Sequence, residues 1–330
     1  MRYFLGVDIG GTKSHALIAD EIGNAVGFGA SGAGNYEDVG WEGLREALHT
    51  VTREALADAG IEKGDLAGAG FGIAGYDWPG EREPTLQAIA SLGLAAPCEL
   101  VNDAVIALMA GASEGWGVVV VAGTSNNCRG HDQQGREGRV TGCGPVFAEY
   151  GGAGEIVGKA IQAVALHWTR RGPATRLSKA FADQTGATGM ADLLEGLVLR
   201  RYHLSADVAP MVFQVANEGD EVAREIIHWA GRELGSLAVG VIRQLGFHDL
   251  SFEVVLSGSL YNGNPALIES MRSTIHGIAP GARLVRLAVP PVAGGVLLGM
   301  EQAGIQAASL RPRLIESIQK CTSLPKAGVP

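Results

Sequence analysis

The chain of 330 residues has few cysteines, few aromatic residues, no excess of positive charge and no long apolar run. Its four cysteines, at positions 98, 128, 143 and 321, form no CxxC pair, which disfavours a disulfide framework or a cysteine metal site. The net charge of −9 weighs against nucleic acid as the main partner. No stretch approaches the roughly 18 apolar residues that cross a membrane, and the amino terminus is not typical of an export signal. We therefore expect a cytoplasmic protein with neither a membrane nor a nucleic-acid partner.

Glycine, in contrast, is abundant. The 49 glycines are about twice the usual share, and they cluster at the ends of predicted strands. Glycine lets the backbone approach a ligand closely, so this clustering indicates several such approaches. The length predicts about two domains, and an apolar share of 46% with 18% charged residues excludes a disordered chain.

Hydrophobic periodicity predicts alternating strands and helices, which indicate an α/β protein with a largely parallel central sheet. The predicted strands are Tyr3–Ile9, Ser14–Asp20, Ala25–Ala30, Leu66–Ile73, Cys98–Val101, Val118–Ala122, Asn126–His131, Gly138–Thr141, Phe252–Leu256 and Arg283–Leu287. The predicted helices are Trp41–Ala59, Glu83–Leu92, Ala104–Ala112, Glu221–Leu245, Pro265–His276 and Ala293–Ala303.

The sequence carries a short internal correspondence at an offset of 112 residues. Gly11-Thr12 aligns with Gly123-Thr124, Asp20 with Asp132, and Gly23 with Gly135. Four identities are compatible with coincidence. The alternative is a duplicated fold, in which two lobes face each other across a cleft and each contributes a Gly-Thr hairpin. Two such hairpins would hold the two ends of a polyphosphate.

The first glycine-rich segment contains an acidic residue, two glycines, a hydroxyl-bearing residue and a lysine. Asp8 ends a predicted strand, Gly10 and Gly11 follow, and Thr12 and Lys13 come next. Glycine amides, a threonine and a lysine are donors for phosphate oxygens, and an aspartate there suits a hydrated Mg²⁺. The alternative is a tight hairpin with a capping aspartate. A strand follows, so this is neither a Walker loop nor a dinucleotide fingerprint.

Gly123-Thr124-Ser125 forms a second hairpin of the same kind. Asn102-Asp103 follows a predicted strand and precedes a helix, at the carboxyl edge where α/β proteins bind ligands. These two residues are either a helix cap or a site in which a carboxylate accepts the proton of an attacking hydroxyl.

Three further segments suit small ligands. Asn35, after a Gly-Ala-Gly run, offers a donor and an acceptor to neighbouring sugar hydroxyls, or it is a turn residue. Gly75 ends a second glycine-rich strand, and Gly258-Ser259 ends a late one. The last pair lets a purine lie against the backbone, or it reflects close helix–strand packing.

The segments VDIGGTKS, GNYEDVG, GIAGYDWP, NDA, GTSNNCRG, LSGS and PPVAGGVLLG occur in the order typical of a known family. The chain resembles the N-acetylglucosamine kinase group of BadF/BadG/BcrA/BcrD-type ATPases, within the actin/hexokinase/Hsp70 superfamily. The resemblance covers about residues 3–303. It implies two actin/hexokinase-like (ribonuclease H-like) lobes, each with a mixed central sheet and flanking helices, which face each other across an ATP and substrate cleft. The lobes would span residues 1–112, completed by a helix at 304–320, and residues 113–303.

The resemblance implies a sugar kinase that uses ATP and Mg²⁺ and forms a homodimer. Asp103 would be the catalytic base, and Asp8 would hold the metal. The phosphates would bind Gly10, Gly11, Thr12, Lys13, Gly123, Thr124 and Ser125, the adenosine Gly258 and Ser259, and the sugar Asn35, Gly75, Asn102, Glu149 and Tyr150.

Two departures from the family pattern concern the site. Ser125 stands where relatives usually have glycine, and serine tolerates fewer backbone conformations. Glu149-Tyr150 stands where relatives carry a GDEGS segment, so Tyr150 takes the place of an acid that looks like a sugar ligand. Glu149 would then supply a displaced carboxylate, or the pocket takes another sugar.

Three functions stay open at this stage. The first is phosphorylation of an amino sugar, with N-acetyl-D-glucosamine to its 6-phosphate favoured over glucosamine, glucose or N-acetylmuramic acid. The second is a non-kinase ATPase that activates a partner, for which cysteine ligands of a shared iron–sulfur cluster would be needed. The third is a sugar sensor that has lost catalysis.

Overall fold

The computed structural model describes residues 1–320, which form two five-stranded sheets. The strands of the first sheet are β1 (Tyr3–Ile9), β2 (Ser14–Asp20), β3 (Ala25–Ser31), β4 (Leu66–Ile73) and β5 (Cys98–Asn102). Those of the second are β6 (Gly117–Ala122), β7 (Asn126–His131), β8 (Glu137–Arg139), β9 (Phe252–Ser257) and β10 (Ala282–Arg286).

Eleven α-helices flank these sheets within the described residues. They are α1 (Tyr36–Ala59), α2 (Arg82–Ala90), α3 (Asp103–Gly111), α4 (Ala153–Trp168), α5 (Leu177–Thr185), α6 (Met190–Val198), α7 (Ala209–Asn217), α8 (Glu221–Leu245), α9 (Pro265–His276), α10 (Val292–Gln302) and α11 (Ala307–Lys320). None of them is long and apolar enough to cross a membrane. The longest, α8, begins where Asp220 accepts a hydrogen bond from the Ala223 amide and ends at Gly246 with φ of 73°, a left-handed cap that suits glycine.

The two sheets share one topology. Their strand orders are β3-β2-β1-β4-β5 and β8-β7-β6-β9-β10, so each strand of the first sheet has a counterpart five strands later. In both sheets the hairpin pairings are antiparallel and the other two pairings are parallel. This confirms the two mixed sheets, whereas the expectation of a largely parallel sheet was wrong because the two hairpins of each lobe contribute antiparallel pairs.

The turns that follow the second strand of each sheet are also alike. Asp20 accepts from the amides of Ile22 and Asn24, and Asp132 accepts from those of Gln134 and Arg136. The glycines at these turns, residues 23 and 135, have φ of 87° and 79°. The correspondence seen at an offset of 112 residues is therefore structural, and it supports a duplicated fold.

Helix α10 packs on the first sheet, against β1, β4 and α3, although the sequence-based division placed it in the second lobe. Small residues on both sides allow this approach. A Cβ on Gly295 would lie 3.0 Å from Gly6 Cα, and one on Gly70 would lie 3.0 Å from Gly299 N. Helical periodicity does not reveal which sheet a helix covers. The chain thus crosses between the lobes after α3 and returns after β10.

Candidate active site

The first hairpin turn lies between β1 and β2 and is tight. The Gly10 amide donates to Lys13 O at 3.1 Å, and a Cβ on Gly10 would lie 2.8 Å from the same oxygen, so the turn requires glycine there. Gly11, Thr12 and Lys13 are exposed. Their amide, hydroxyl and ammonium groups are therefore accessible to an anionic ligand.

Asn35 and Gly75 lie together beside this hairpin. Asn35 caps α1 by accepting from the Glu37 amide at 3.2 Å, and Gly75 has φ of 80°. A Cβ on Gly75 would overlap Asn35 Oδ1. The Gly34 amide donates to Gly10 O at 3.0 Å, which joins this pair to the hairpin. Asn35 is therefore the N-cap of α1, and its neighbours Gly34 and Gly75 place it beside the first hairpin turn.

Asp103 is the first residue of α3, directly after the carboxyl end of β5. Asn102 caps the helix by accepting from the Ala104 amide at 3.0 Å. The pKa of Asp103 is raised to about 6: burial is the largest cause and the neighbouring Asp77 adds to it, while the Ala104 amide and Arg129 act in the opposite direction. The Asp103 carboxylate accepts from the same amide at 2.9 Å, so both side chains lie at the start of α3.

Asp8, near the end of β1, is half-buried and faces the same region. Its pKa is raised to about 8: burial is the largest cause, repulsion from Asp103 adds to it, and Lys13 opposes it. A buried carboxyl group whose ionisation is opposed by a second carboxylate is typical of a site that works with protons or a cation.

The second hairpin turn lies between β6 and β7. The Gly123 amide donates to Ser125 O at 2.9 Å, and Thr124 and Ser125 are exposed. Ser125 is absent from the non-glycine residues with positive φ, so serine fits where relatives carry glycine. Gly258 lies beside this turn with φ of 115°, and a Cβ there would overlap Ala122 O.

Helix α4 begins against the second hairpin. The Ala153 amide donates to Gly123 O at 2.9 Å, and the Gly154 amide to Thr124 O at 3.3 Å. A Cβ on Gly152 would lie 2.9 Å from the Ser125 carbonyl carbon. The amides of α4 thus bind backbone carbonyls of the hairpin. The Thr124 hydroxyl has no hydrogen-bond partner among the described residues.

Glu149 and Tyr150 are engaged with their own loop. Glu149 is buried, with 5% exposed, and its carboxylate accepts from the amides of Thr141 at 2.6 Å and Cys143 at 3.1 Å. Tyr150 donates its hydroxyl to Pro145 O at 3.4 Å, and its ring lies 5.9 Å from that of Trp229. A sugar contact from Glu149 would have to share oxygens that already accept two amides.

Residues that the sequence reasoning missed connect the two lobes next to Asp103. Asn127 Nδ2 donates to Asn102 Oδ1 at 3.3 Å, and Arg129 Nη2 donates to Asp77 Oδ1 at 2.6 Å. Asn127 and Arg129 are two residues apart on β7, so they share one face of the strand. This spacing could have indicated that the two side chains act together, but it could not show that their partners lie in the other lobe.

Two curated relatives match nearly the whole chain. It is 25% identical over 305 residues to the N-acetylmuramic acid/N-acetylglucosamine kinase of Clostridium acetobutylicum, covering 92% of this chain and 99% of that one. It is 26% identical over 316 residues to the N-acetyl-D-glucosamine kinase of Dictyostelium discoideum, covering 90% and 97%.

Solved structures share the fold. A candidate N-acetylglucosamine kinase from Chromobacterium violaceum has a TM-score of 0.66 at 19% identity, covering 90% of this chain and 99% of that one. A glucokinase of the ROK family from Streptomyces griseus, solved with glucose and AMPPNP, has a TM-score of 0.57 at 17% identity, covering 91% and 99%. These neighbours confirm the actin/hexokinase-like fold. The family model described as the BadF/BadG/BcrA/BcrD ATPase family matches residues 5–299, and the chain therefore belongs to that family.

Proposed function

We propose that this protein is an ATP-dependent amino-sugar kinase that phosphorylates O6 of N-acetyl-D-glucosamine. The observation that carries the proposal is the position of Asp103. It begins α3 at the carboxyl end of β5, with a pKa raised to about 6 and with a contact between the lobes at its neighbour Asn102. Both curated relatives described above are named as kinases of this sugar, which supports the choice of acceptor.

In this mechanism Asp103 accepts the proton of the acceptor hydroxyl as that oxygen attacks the γ-phosphorus of ATP, the bond from the γ-phosphorus to the bridging oxygen breaks, and ADP leaves. The exposed hairpins at Thr12 and Thr124 hold the phosphates with amides and hydroxyls, and Lys13 adds a positive charge. Asn35, Gly75 and Asn102 line the sugar side, and Gly258 with Ser259 the adenosine side. Positioning and charge neutralisation supply most of the catalysis in phosphoryl transfer. The two lobes exclude water from the transfer.

The residues present fit a Mg²⁺ ion. Repulsion from Asp103 raises the pKa of Asp8, and a divalent cation next to Asp8 would offset that repulsion. One carboxylate with phosphate oxygens and water is a common way to hold Mg²⁺. When bound, the ion neutralises charge on the phosphates.

Two further parts of the proposal concern location, which rests on the composition, and oligomeric state, which rests on the family resemblance. The protein acts in the cytoplasm, in keeping with its cysteine usage, and it forms a homodimer. Light scattering of the purified protein tests the second part: a mass near twice 34.2 kDa supports it, and a mass near 34.2 kDa contradicts it.

A panel of sugars in an ADP-release assay tests the function. We expect N-acetyl-D-glucosamine to stimulate ADP release, and glucosamine, glucose and N-acetylmuramic acid to be poorer acceptors. ADP release that no sugar stimulates would favour an ATPase that activates a partner. Sugar binding without ADP release would favour a sensor.

Asp103→Asn is the matched variant for this assay. Asparagine keeps the size of the side chain but does not accept the proton, so kcat should fall about 10²- to 10⁴-fold while ATP binding stays nearly unchanged. A variant that keeps more than a third of the wild-type kcat would remove Asp103 from the mechanism.

A further inference from the structure

The second lobe holds the loop after β4 with two arginines. Arg129, on β7, donates Nη2 to Asp77 Oδ1 at 2.6 Å and to Tyr76 O at 3.4 Å. Arg139, on β8, donates to Asp77 O, and its guanidinium lies 4.6 Å from the centre of the Trp78 ring. The hairpin β7–β8 therefore binds one short loop of the first lobe from the other side of the cleft.

The pair between Arg129 and Asp77 is buried. The exposed fractions of the two side chains are 4% and 11%, whereas Glu137, the second carboxylate on Arg129, is 47% exposed. Arg129 Nε is buried and has no hydrogen-bond partner within the described residues. A charge in such surroundings is kept only if its pairing is maintained, because an unpaired buried charge costs several kcal/mol. The pair is therefore a specific junction between lobes rather than a surface contact.

This junction reaches Asp103 through one residue. Asp77 Oδ1 also accepts from Asn102 Nδ2 at 3.4 Å, and Asn102 Nδ2 donates to Tyr76 O at 3.2 Å. Asn102 Oδ1 in turn accepts from the Ala104 amide, the first hydrogen bond of α3. The Asn102 side chain is thus oriented by two sets of hydrogen bonds. One set joins it to the loop after β4, and the other joins it to the helix that begins with Asp103.

We propose that Arg129 is a positioning residue: by binding Asp77 across the cleft, it fixes the loop and the helix cap that orient Asp103 while the lobes are joined. The inference rests on the proposed role of Asp103 as the base. Arg129 touches neither the acceptor nor the phosphate in this account. It acts on the rate through geometry, and a misplacement of about 1 Å at a reacting group costs up to about 10²-fold in rate.

The test uses three variants: Arg129→Met, Asp77→Asn and the double variant that carries both changes. Each is compared with the control variant Arg136→Met. The control removes a guanidinium group from the far end of the β7–β8 hairpin, where Arg136 is 65% exposed and pairs with Asp132. We expect Arg129→Met and Asp77→Asn each to lower kcat about 10- to 100-fold, with the KM for ATP within about twofold of wild type. Because the two residues act as a unit, the double variant should be no slower than the slower single variant.

Hydrogen exchange of the peptide that contains Asp103–Gly111 gives a readout that does not depend on turnover. We expect the first-turn amides of α3 to exchange at least about tenfold faster in the Arg129 and Asp77 variants, and at the wild-type rate in Arg136→Met. If a single variant does not fold, the double variant carries the test, since it leaves no unpaired buried charge.

Three results would overturn the inference: kcat within threefold of wild type in the double variant, losses that multiply from single to double variants, or unchanged exchange at α3. These outcomes are separable from failure of the proposed function. A wild-type protein that phosphorylates no sugar contradicts the kinase assignment, while the exchange rates still report whether Arg129 orders the start of α3.

Discussion

At the scale of single residues, the most informative feature is that two cleft carboxylates have raised pKa values for partly different reasons. Burial is the main cause for both, but repulsion comes from Asp103 in the case of Asp8 and from Asp77 in the case of Asp103. Arg129 pairs with Asp77 and also lowers the pKa of Asp103. A base with a pKa near 6 is ionised at neutral pH and still takes a proton readily.

The raised pKa of Asp103 predicts the acid limb of the pH profile. The base works only when ionised, so activity is kept above its pKa and lost as pH falls through about 6. We expect kcat/KM for the sugar, at saturating ATP, to fall about tenfold per pH unit below that value. A profile that stays flat down to pH 4.5 would show that Asp103 is not the group that titrates.

The placement of Glu149 gives a second prediction at this scale. In Glu149→Gln, the amide group of glutamine would face one of the two backbone N–H donors that the carboxylate now binds, so the loop at 141–143 should shift. Gly142 in that loop contacts Asp77: a Cβ there would lie 2.7 Å from Asp77 Oδ1. We expect the KM for N-acetyl-D-glucosamine to rise at least about tenfold. Tyr150→Phe, which loses one long hydrogen bond to Pro145, is the control and should change KM little.

At the scale of elements, most strands and long helices were predictable because their apolar periodicity is strong. The boundaries of β4, β7, α8 and α9 are identical to those predicted from the sequence. Helix α1 begins five residues earlier than predicted, since Asn35 caps it and Gly40, with φ of 70°, interrupts its first turn. The strand predicted to reach Thr141 ends at Arg139, because Glu149 binds the Thr141 amide. The helices between residues 153 and 217 were not predicted.

The contact between α10 and α3 predicts the effect of one added methyl group. A Cβ on Gly294 would overlap Ile106 O and lie 3.0 Å from Ala110 N, both of them backbone atoms that do not move aside. Gly294→Ala should therefore lower the free energy of unfolding by about 1–3 kcal/mol, measured by urea denaturation. Gly240→Ala in α8 is the matched control: its Cβ would meet no atom within 4 Å, and alanine there should stabilise the helix by up to about 1 kcal/mol. Equal effects of the two variants would contradict the close packing of α10.

At the scale of the whole molecule, the sequence revealed the repeat but not the junction. The offset of 112 residues was visible because glycine and aspartate are required at the same turns in both lobes, as at Gly23 and Gly135. The pairing of Arg129 with Asp77 was not visible, because the two residues are 52 positions apart and lie in different lobes. Local patterns predict what a residue does within its own element, whereas a contact between lobes depends on how the two sheets are placed.

The duplicated architecture makes a prediction about how the lobes share one nucleotide. Thr12 and Thr124 are exposed and occupy equivalent hairpins of the two lobes, so each should bind a different part of the same triphosphate. Thr12→Val and Thr124→Val remove one hydroxyl each at nearly constant size. We expect each variant to weaken ATP binding about tenfold, or about 1.4 kcal/mol, with the KM for the sugar unchanged.

The double variant decides whether the two hairpins act on one ligand independently. Groups in separate lobes without shared partners have additive free energies, so Thr12→Val with Thr124→Val should weaken ATP binding about a hundredfold, as measured by calorimetric titration. If only one threonine affects the affinity, the triphosphate is held by a single lobe. In that case the second Gly-Thr hairpin would be a remnant of the duplication, kept for the turn it makes rather than for a ligand.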